Sequence, residues 1–421
     1  MATLDSRWRF YSAILIVQAF YSLHAWFLWG LSERMVSIVM FLLAGWFLFT
    51  SPFWDFKNSK KLLAAVLLIL IYIYRTIINE GNFNYYLFEI MSSFTIIPII
   101  LLKSKYQLDL LNKFQNTLSI VLLVSLVFWV GHLLGIDLPS TSLTFGTIER
   151  VGGIDDQYTF ANHYLYLVNQ GSLFNDSGFL PSFMRFSSVF LEPGYLSIII
   201  VFLLFINGFD LRDKRNIIYL LTIIATVSLA GYLMIIIAYI AHVLQKSRNR
   251  WLSLVGFFLL IIISSAFFKE YNGGNNFINK GIIERLEYDQ VTGNIAGYNR
   301  TTENFDYAFD RFWGSANIVT GYGEERQKAI DSGGVGYKIY LMQYGLIGLF
   351  LFILYLVLIA KVGNNYRSYI LLLLYIIMFA RGHGTMFYSA FMLTYICGVA
   401  QTVINKDNNE ENCTRSPLQP V

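Results

Sequence analysis

The segment Met184-Arg185-Phe186-Ser187-Ser188-Val189-Phe190-Leu191-Glu192-Pro193-Gly194 sets a permanent cation and a carboxylate seven positions apart, directly ahead of an apolar run. Proline suits the first turn of a helix, where its missing N–H is no loss, so Glu192 should stand at a helix mouth. A carboxylate there has two uses. It can cap the free backbone N–H groups, which the local sequence favours, or, partly desolvated beside an apolar wall, it can take a proton from a reacting hydroxyl. Arg150, Arg185, Arg285, Arg300, Arg311 and Arg326 all lie in polar stretches, and Arg381 ends an apolar one. Guanidinium forks match phosphate oxygens in pairs and keep their charge, so two or more brought together would hold a pyrophosphate; any one alone reads more simply as a solvated charge. His163 and His383 are further proton carriers, although a lone loop histidine is more often an ordinary hydrogen-bonding residue. Gly321-Tyr322-Gly323, followed by Asp331, would let backbone approach a ligand closely, but no nucleotide-phosphate loop surrounds it and no nucleic acid is expected as a partner. Tyr158, Tyr164 and Trp313 offer flat faces for sugar rings, or simply pack their loops.

The elements that must position these residues are membrane helices. Of 421 residues, 56% are hydrophobic and only 14% charged. A soluble domain carries roughly 25% charged residues, so this chain cannot clothe a globule in water. Its net charge of +4 says little about partners. The two cysteines, Cys397 and Cys413, form neither a disulfide framework nor a metal-binding spacing, and no metal or cofactor is expected. Roughly 20 apolar residues cross a bilayer, and a lone span must satisfy its own backbone hydrogen bonds, which makes each apolar run a helix. Such runs occur near 9–30, 35–50, 62–79, 86–102, 117–135, 189–207, 251–268, 337–360, 368–380 and 386–404. Residues 216–245 are flanked at both ends by basic clusters, so both ends belong on one side and the run should be two short spans hinged near Ser228–Tyr232. The total is about twelve helices.

Basic residues in alternate short loops (Lys57, Lys60 and Lys61; Lys103, Lys105 and Lys113; Lys361 and Arg367) place both termini in the cytoplasm. The chain then divides into five helices over 1–135, an outer loop over 136–188, four helices over 189–268, a second outer loop over 269–336, three helices over 337–404 and a cytoplasmic tail over 405–421. Loops this long are uncommon without a task. The second contains an amphipathic piece, 301–312, with Phe305, Phe309 and Phe312 on one face, expected to lie on the membrane surface. Arg75 and Glu89, within the third and fourth spans, are expected to pair with each other, because lone charges in a span are costly.

Arg185-Phe-Ser-Ser-Val-Phe-Leu-Glu192-Pro193-Gly194-Tyr195-Leu196 resembles the Arg…Phe-x-Glu-Pro signature of Wzy-type polymerases of O-antigen and capsule. Arg300, an aromatic-rich helix, Gly321-x-Gly323, Asp331 and Tyr344-Gly-Leu-Ile-Gly348 are similar to that family's second block, which it shares with the O-antigen ligases. The resemblance implies an all-α, polytopic, GT-C-like membrane protein of the bacterial inner membrane. It would transfer a growing glycan from undecaprenyl pyrophosphate onto the next lipid-linked repeat unit at the outer face. Glu192, with His163 and His383 behind it, would take the acceptor's proton. Arg150, Arg185, Arg300 and Arg381 would hold the departing pyrophosphate. Its partners would be lipid-linked oligosaccharides, the bilayer and a chain-length regulator protein. The ligases usually carry His-Asn just ahead of the Tyr-Gly-Leu-Ile-Gly element; here Asp331-Ser332-Gly333-Gly334-Val335 has no histidine, which favours the polymerase. A lipid-glycan flippase is the alternative from another class. It would place its polar residues at mid-membrane on broken helices, whereas here they are concentrated in the loops.

Overall fold

The structure, a computed structural model, describes residues 2–79, 83–149, 155–169, 173–175, 182–246, 250–276, 278–289, 294–295, 303–324, 326–327, 336–381 and 387–414. Among these, fourteen α-helices dominate: α1 (Ala2–Ser22), α2 (Glu33–Thr50), α3 (Ser59–Ile78), α4 (Phe83–Ser93), α5 (Ile97–Leu101), α6 (Ser104–Leu133), α7 (Pro193–Ile206), α8 (Lys214–Thr226), α9 (Leu229–Lys246), α10 (Arg250–Glu270), α11 (Glu303–Trp313), α12 (Gly336–Gly363), α13 (Tyr366–Arg381) and α14 (Ser389–Thr414). Five stretches (Glu33–Thr50, Ser59–Ile78, Ser104–Leu133, Leu254–Gly274 and Gly336–Gly363) are helices long and apolar enough to cross a membrane, and five shorter helices are apolar as well. Each apolar run expected to be helical contains helix, though not always as one unbroken element. The run at 86–102 is divided between α4 and α5, with Pro98 in the first turn of the second piece. The hinge expected near Ser228–Tyr232 stands between α8 and α9, where Val227 adopts a left-handed φ of 44°.

Helix starts follow local chemistry. Ser32, Asn58 and Asp213 accept from the backbone N–H groups of Met35, Lys61 and Arg215 and so cap α2, α3 and α8. Hydropathy alone misplaces one start: α6 begins at Ser104, well ahead of 117, because residues 104–116 are polar yet good helix formers. Lys105 and Lys113, expected in a loop, therefore ride on its first turns.

The core is built around α7, buried continuously from Leu196 to Ile206 and packed by α8, α9 and α14. A helix apolar on every face belongs inside a bundle. By contrast, α10 buries almost none of its apolar surface against the protein. In the helix 303–313, the face of Phe305, Phe309 and Phe312 is buried against Ile339, Leu341 and Met342 of α12. A neighbouring apolar helix offers that face a fixed, close-packed partner.

The first long loop contains strands that hydropathy did not reveal. β1 (Thr141–Glu149), β2 (Asp155–Asn162) and β3 (Leu167–Asn169) form an antiparallel sheet in that order, with Thr141 opposite Asn162 and a register shift between Phe145 and Thr147. β4 (Leu173–Asn175) pairs with β5 (Ser182–Met184), and β6 (Tyr288–Asp289) with β7 (Asn294–Ile295). Both long loops fold onto one end of the bundle. Trp26 N–H donates to the Val189 carbonyl (3.0 Å) and Trp26 Nε1 to the Tyr164 carbonyl (3.1 Å), while Tyr74 at the end of α3 donates to the Thr320 carbonyl (3.0 Å).

Candidate functional site

Glu192 occupies the N-cap position of α7 in extended conformation, yet its side chain makes no capping hydrogen bond. The capping use favoured by local sequence is thus not the one adopted, and the carboxylate stands uncommitted to its own helix. Tyr388, in the short segment ahead of α14, stands beside this helix mouth. Tyr388 OH also meets His24 Nε2 at 3.0 Å, and its ring meets Tyr195 edge to face at 5.9 Å. His24 sits in the turn after α1 with a left-handed φ of 53°, and burial lowers its imidazole below the usual value.

Next to this group lies a cavity of about 320 Å³, to which His24, Glu33, Arg75, Glu324, Gln343 and Tyr388 contribute. Arg75, from α3, is its central cation. Its Nη2 lies 3.1 Å from Glu324 Oε1, and its Nε donates to Tyr344 OH at 3.2 Å. Tyr344 OH in turn donates to Glu324. The guanidinium also stands 5.3–5.5 Å from the ring centres of Tyr72, Tyr344 and Phe387. Glu324, 249 residues along the chain, is therefore an observed partner of Arg75; the side chain of Glu89, the expected partner, lies outside the described residues.

The Gly321-x-Gly323 element meets backbone of the protein itself. The helix α12 is broken at Gly345, with φ 62° and ψ −170°. A break frees backbone groups that must find partners in a water-poor interior. Here Tyr322 N–H donates to the Met342 carbonyl (2.6 Å), Gly323 N–H to the Gln343 carbonyl (3.0 Å) and Tyr74 OH to the Tyr344 carbonyl (3.0 Å), while Ile347 N–H finds the Val319 carbonyl (3.1 Å). A Cβ at Gly321 would fall inside contact of the Gln343 carbonyl, and one at Gly345 inside contact of the Val319 carbonyl. The glycines thus bring backbone close to backbone, and join the second loop to the α12 break. The Glu324 backbone N–H, next in sequence, donates to Asn79 Oδ1 at 2.6 Å, which helps to present its carboxylate to Arg75.

Other candidates are held by contacts of their own. Arg185 is at the apex of the α8–α9 hairpin, where its Nε donates to the Thr226 carbonyl at 3.0 Å. His163 is stacked on Tyr166 (4.8 Å) and meets His132 edge to face (4.8 Å), under the first loop. Burial, and then the neighbouring His132, lower its pKa. Arg326 covers the Tyr322 ring at 4.9 Å. Tyr164 and Trp313 are exposed. Arg150, Arg300, Asp331 and His383, and the side chains of Arg381 and Tyr158, lie outside the described residues.

Sequence reasoning missed His24, Glu33, Glu324, Gln343 and Tyr388. His24 was hidden inside an apolar run, and Glu33 in the short turn that follows it. A signal did exist for Glu324: it follows Gly321-x-Gly323 directly, so whatever anchors the glycines also places the carboxylate. No protein-family model, curated protein or solved structure matches this chain.

Proposed function

We propose that this chain is a lipid-linked oligosaccharide polymerase: it transfers a growing glycan from undecaprenyl pyrophosphate onto a hydroxyl of the next lipid-linked repeat unit at the outer face of the bacterial inner membrane. The observation that carries the reading is Glu192, a carboxylate at the mouth of the central helix that spends no hydrogen bond on capping, three residues ahead of Tyr195, whose ring meets the cavity-lining Tyr388. In the reaction, the acceptor oxygen forms a bond to the anomeric carbon as the bond from that carbon to the pyrophosphate oxygen breaks. The acceptor's proton passes to Glu192, and the electron pair leaves with the lipid pyrophosphate. Arginines of the outer loops, Arg185 among them, would stabilise the leaving charge. In this reading both termini are cytoplasmic, and the end onto which the long loops fold is the outer one.

A flippase gains support from one feature, the break of α12 beside a cavity, since transporters bind at such breaks. Against it, the Met342, Gln343 and Tyr344 carbonyls released there are already taken by the second loop and Tyr74, which leaves fewer groups for a moving substrate. An O-antigen ligase differs only in its acceptor. Purified protein given lipid-linked repeat units and no nucleotide sugar separates the three. Longer lipid-linked glycans are expected. Movement across the bilayer without new bonds would show a flippase, and transfer only to a lipid core a ligase.

A further inference from the structure

The geometry points to the cavity between α1, α2, α3 and α12 as a subsite for an uncharged sugar ring, separate from the place where pyrophosphate is held. It rests on the polymerase reading only for where the sugar comes from. The first observation is Gln343. Its side chain is 3% exposed and lines the cavity; its Nε2 donates to Gln327 Oε1 at 3.0 Å, but its Oε1 meets no hydrogen-bond donor among the described residues. A buried acceptor without a donor is costly, so a small shift of this side chain that let it meet an O–H or N–H entering the cavity would be favourable. Phosphate oxygens at neutral pH only accept, whereas every free sugar hydroxyl can donate.

Charge is the second observation. Among the described lining residues the permanent cation Arg75 is outnumbered by Glu33 and Glu324, and it is already engaged by Glu324. A pyrophosphate would bring further negative charge to a lining whose described residues hold more carboxylates than cations, and like charges at close range repel. A neutral ring meets no such barrier, and carboxylates are strong acceptors for its hydroxyls. The third observation is the apolar complement. The Phe387 and Tyr388 rings line the same space, and such faces suit the C–H side of a pyranose.

Saturation-transfer NMR on the full chain in nanodiscs tests the subsite. Methyl glycosides of a hexose, a 6-deoxyhexose and an N-acetylhexosamine serve as ligands, and inorganic pyrophosphate as competitor. At least one neutral glycoside should receive saturation, pyrophosphate should leave that signal unchanged, and Gln343→Leu should weaken its affinity by about tenfold. Glu33 is exposed on the first turn of α2, so Glu33→Ala should fold normally and weaken the same ligand several-fold even where Gln343→Leu does not fold. Binding by none of the glycosides, displacement by pyrophosphate, or wild-type affinity in the folded variants would overturn the inference. A protein that lengthens glycans yet fails these measurements loses the subsite alone. One that binds glycosides but never lengthens a glycan loses the polymerase reading alone.

Discussion

The helix α3 carries one cation near each end, and the two are used in opposite ways. Lys61, in the first turns, is buried to 3% of its side chain; it donates to the Leu102 carbonyl (2.6 Å) and Gln107 Oε1 (3.1 Å) and lies 3.5 Å from Asp55. These groups surround the ammonium, and it holds α3, α5 and α6 together. Around it, that end is closed by direct contacts: Lys60 donates to the Lys361 carbonyl (2.8 Å), Asn365 to Thr402 Oγ1 (2.8 Å), and Trp54 pairs with Leu102. Arg75, about 21 Å farther along at 1.5 Å per residue, faces a cavity and shares Glu324 with Tyr344. A charge walled in by acceptors can only hold structure. One that lines a cavity also stands where a ligand could enter. The same helix therefore closes the bundle at one end and lines a cavity at the other.

This contrast can be broken by experiment. The largest effect is expected from Glu192→Gln. It should lower glycan extension by about 10²–10⁴-fold, the usual contribution of a general base, while the unfolding midpoint stays near wild type because the side chain caps nothing. Substantial polymer from this variant would remove Glu192 from the chemistry. Lys61→Met should do the reverse. Leaving Asp55, Gln107 and the Leu102 carbonyl without their cation should cost about 3–5 kcal/mol in denaturant unfolding, and a wild-type midpoint would contradict the structural role. Gly345→Ala tests the junction between the ends. Positive φ and the contact with Val319 should cost about 3 kcal/mol and loosen the second loop, seen as faster hydrogen exchange at Tyr322 and Gly323. Unchanged exchange would separate the loop from the break.

The smallest effect concerns pH. His24 and His163 are both held below the ordinary 6.5 by burial, so the unfolded chain binds more protons than the fold does between the lowered values and 6.5. Their contribution to stability is complete above 6.5 and is lost as pH falls through that window. Thermal midpoints recorded from pH 7.5 downward should decline below about 6.5, and replacing both histidines by glutamine should flatten that decline. An equally steep fall in the double variant would assign it to other groups.

The helical framework was legible before any coordinates because its causes are local. An apolar run of sufficient length must satisfy its own backbone in lipid, so each expected run contains helix, and paired basic flanks located the α8–α9 hinge to within a residue or two. The spacing of Phe305, Phe309 and Phe312 likewise announced α11. Composition also marked Glu192-Pro193 as a helix start. Tertiary structure alone decided what these parts do to one another. A glycine pair declares that backbone can come close, not what it approaches, and here it approaches a broken helix. A charge within a span demands a partner without naming it: Arg75 finds one 249 residues away, and Lys61, read as a loop lysine, is enclosed by α3, α5 and α6. Periodicity acts within one element, whereas packing joins elements whose distance along the chain leaves no trace in either.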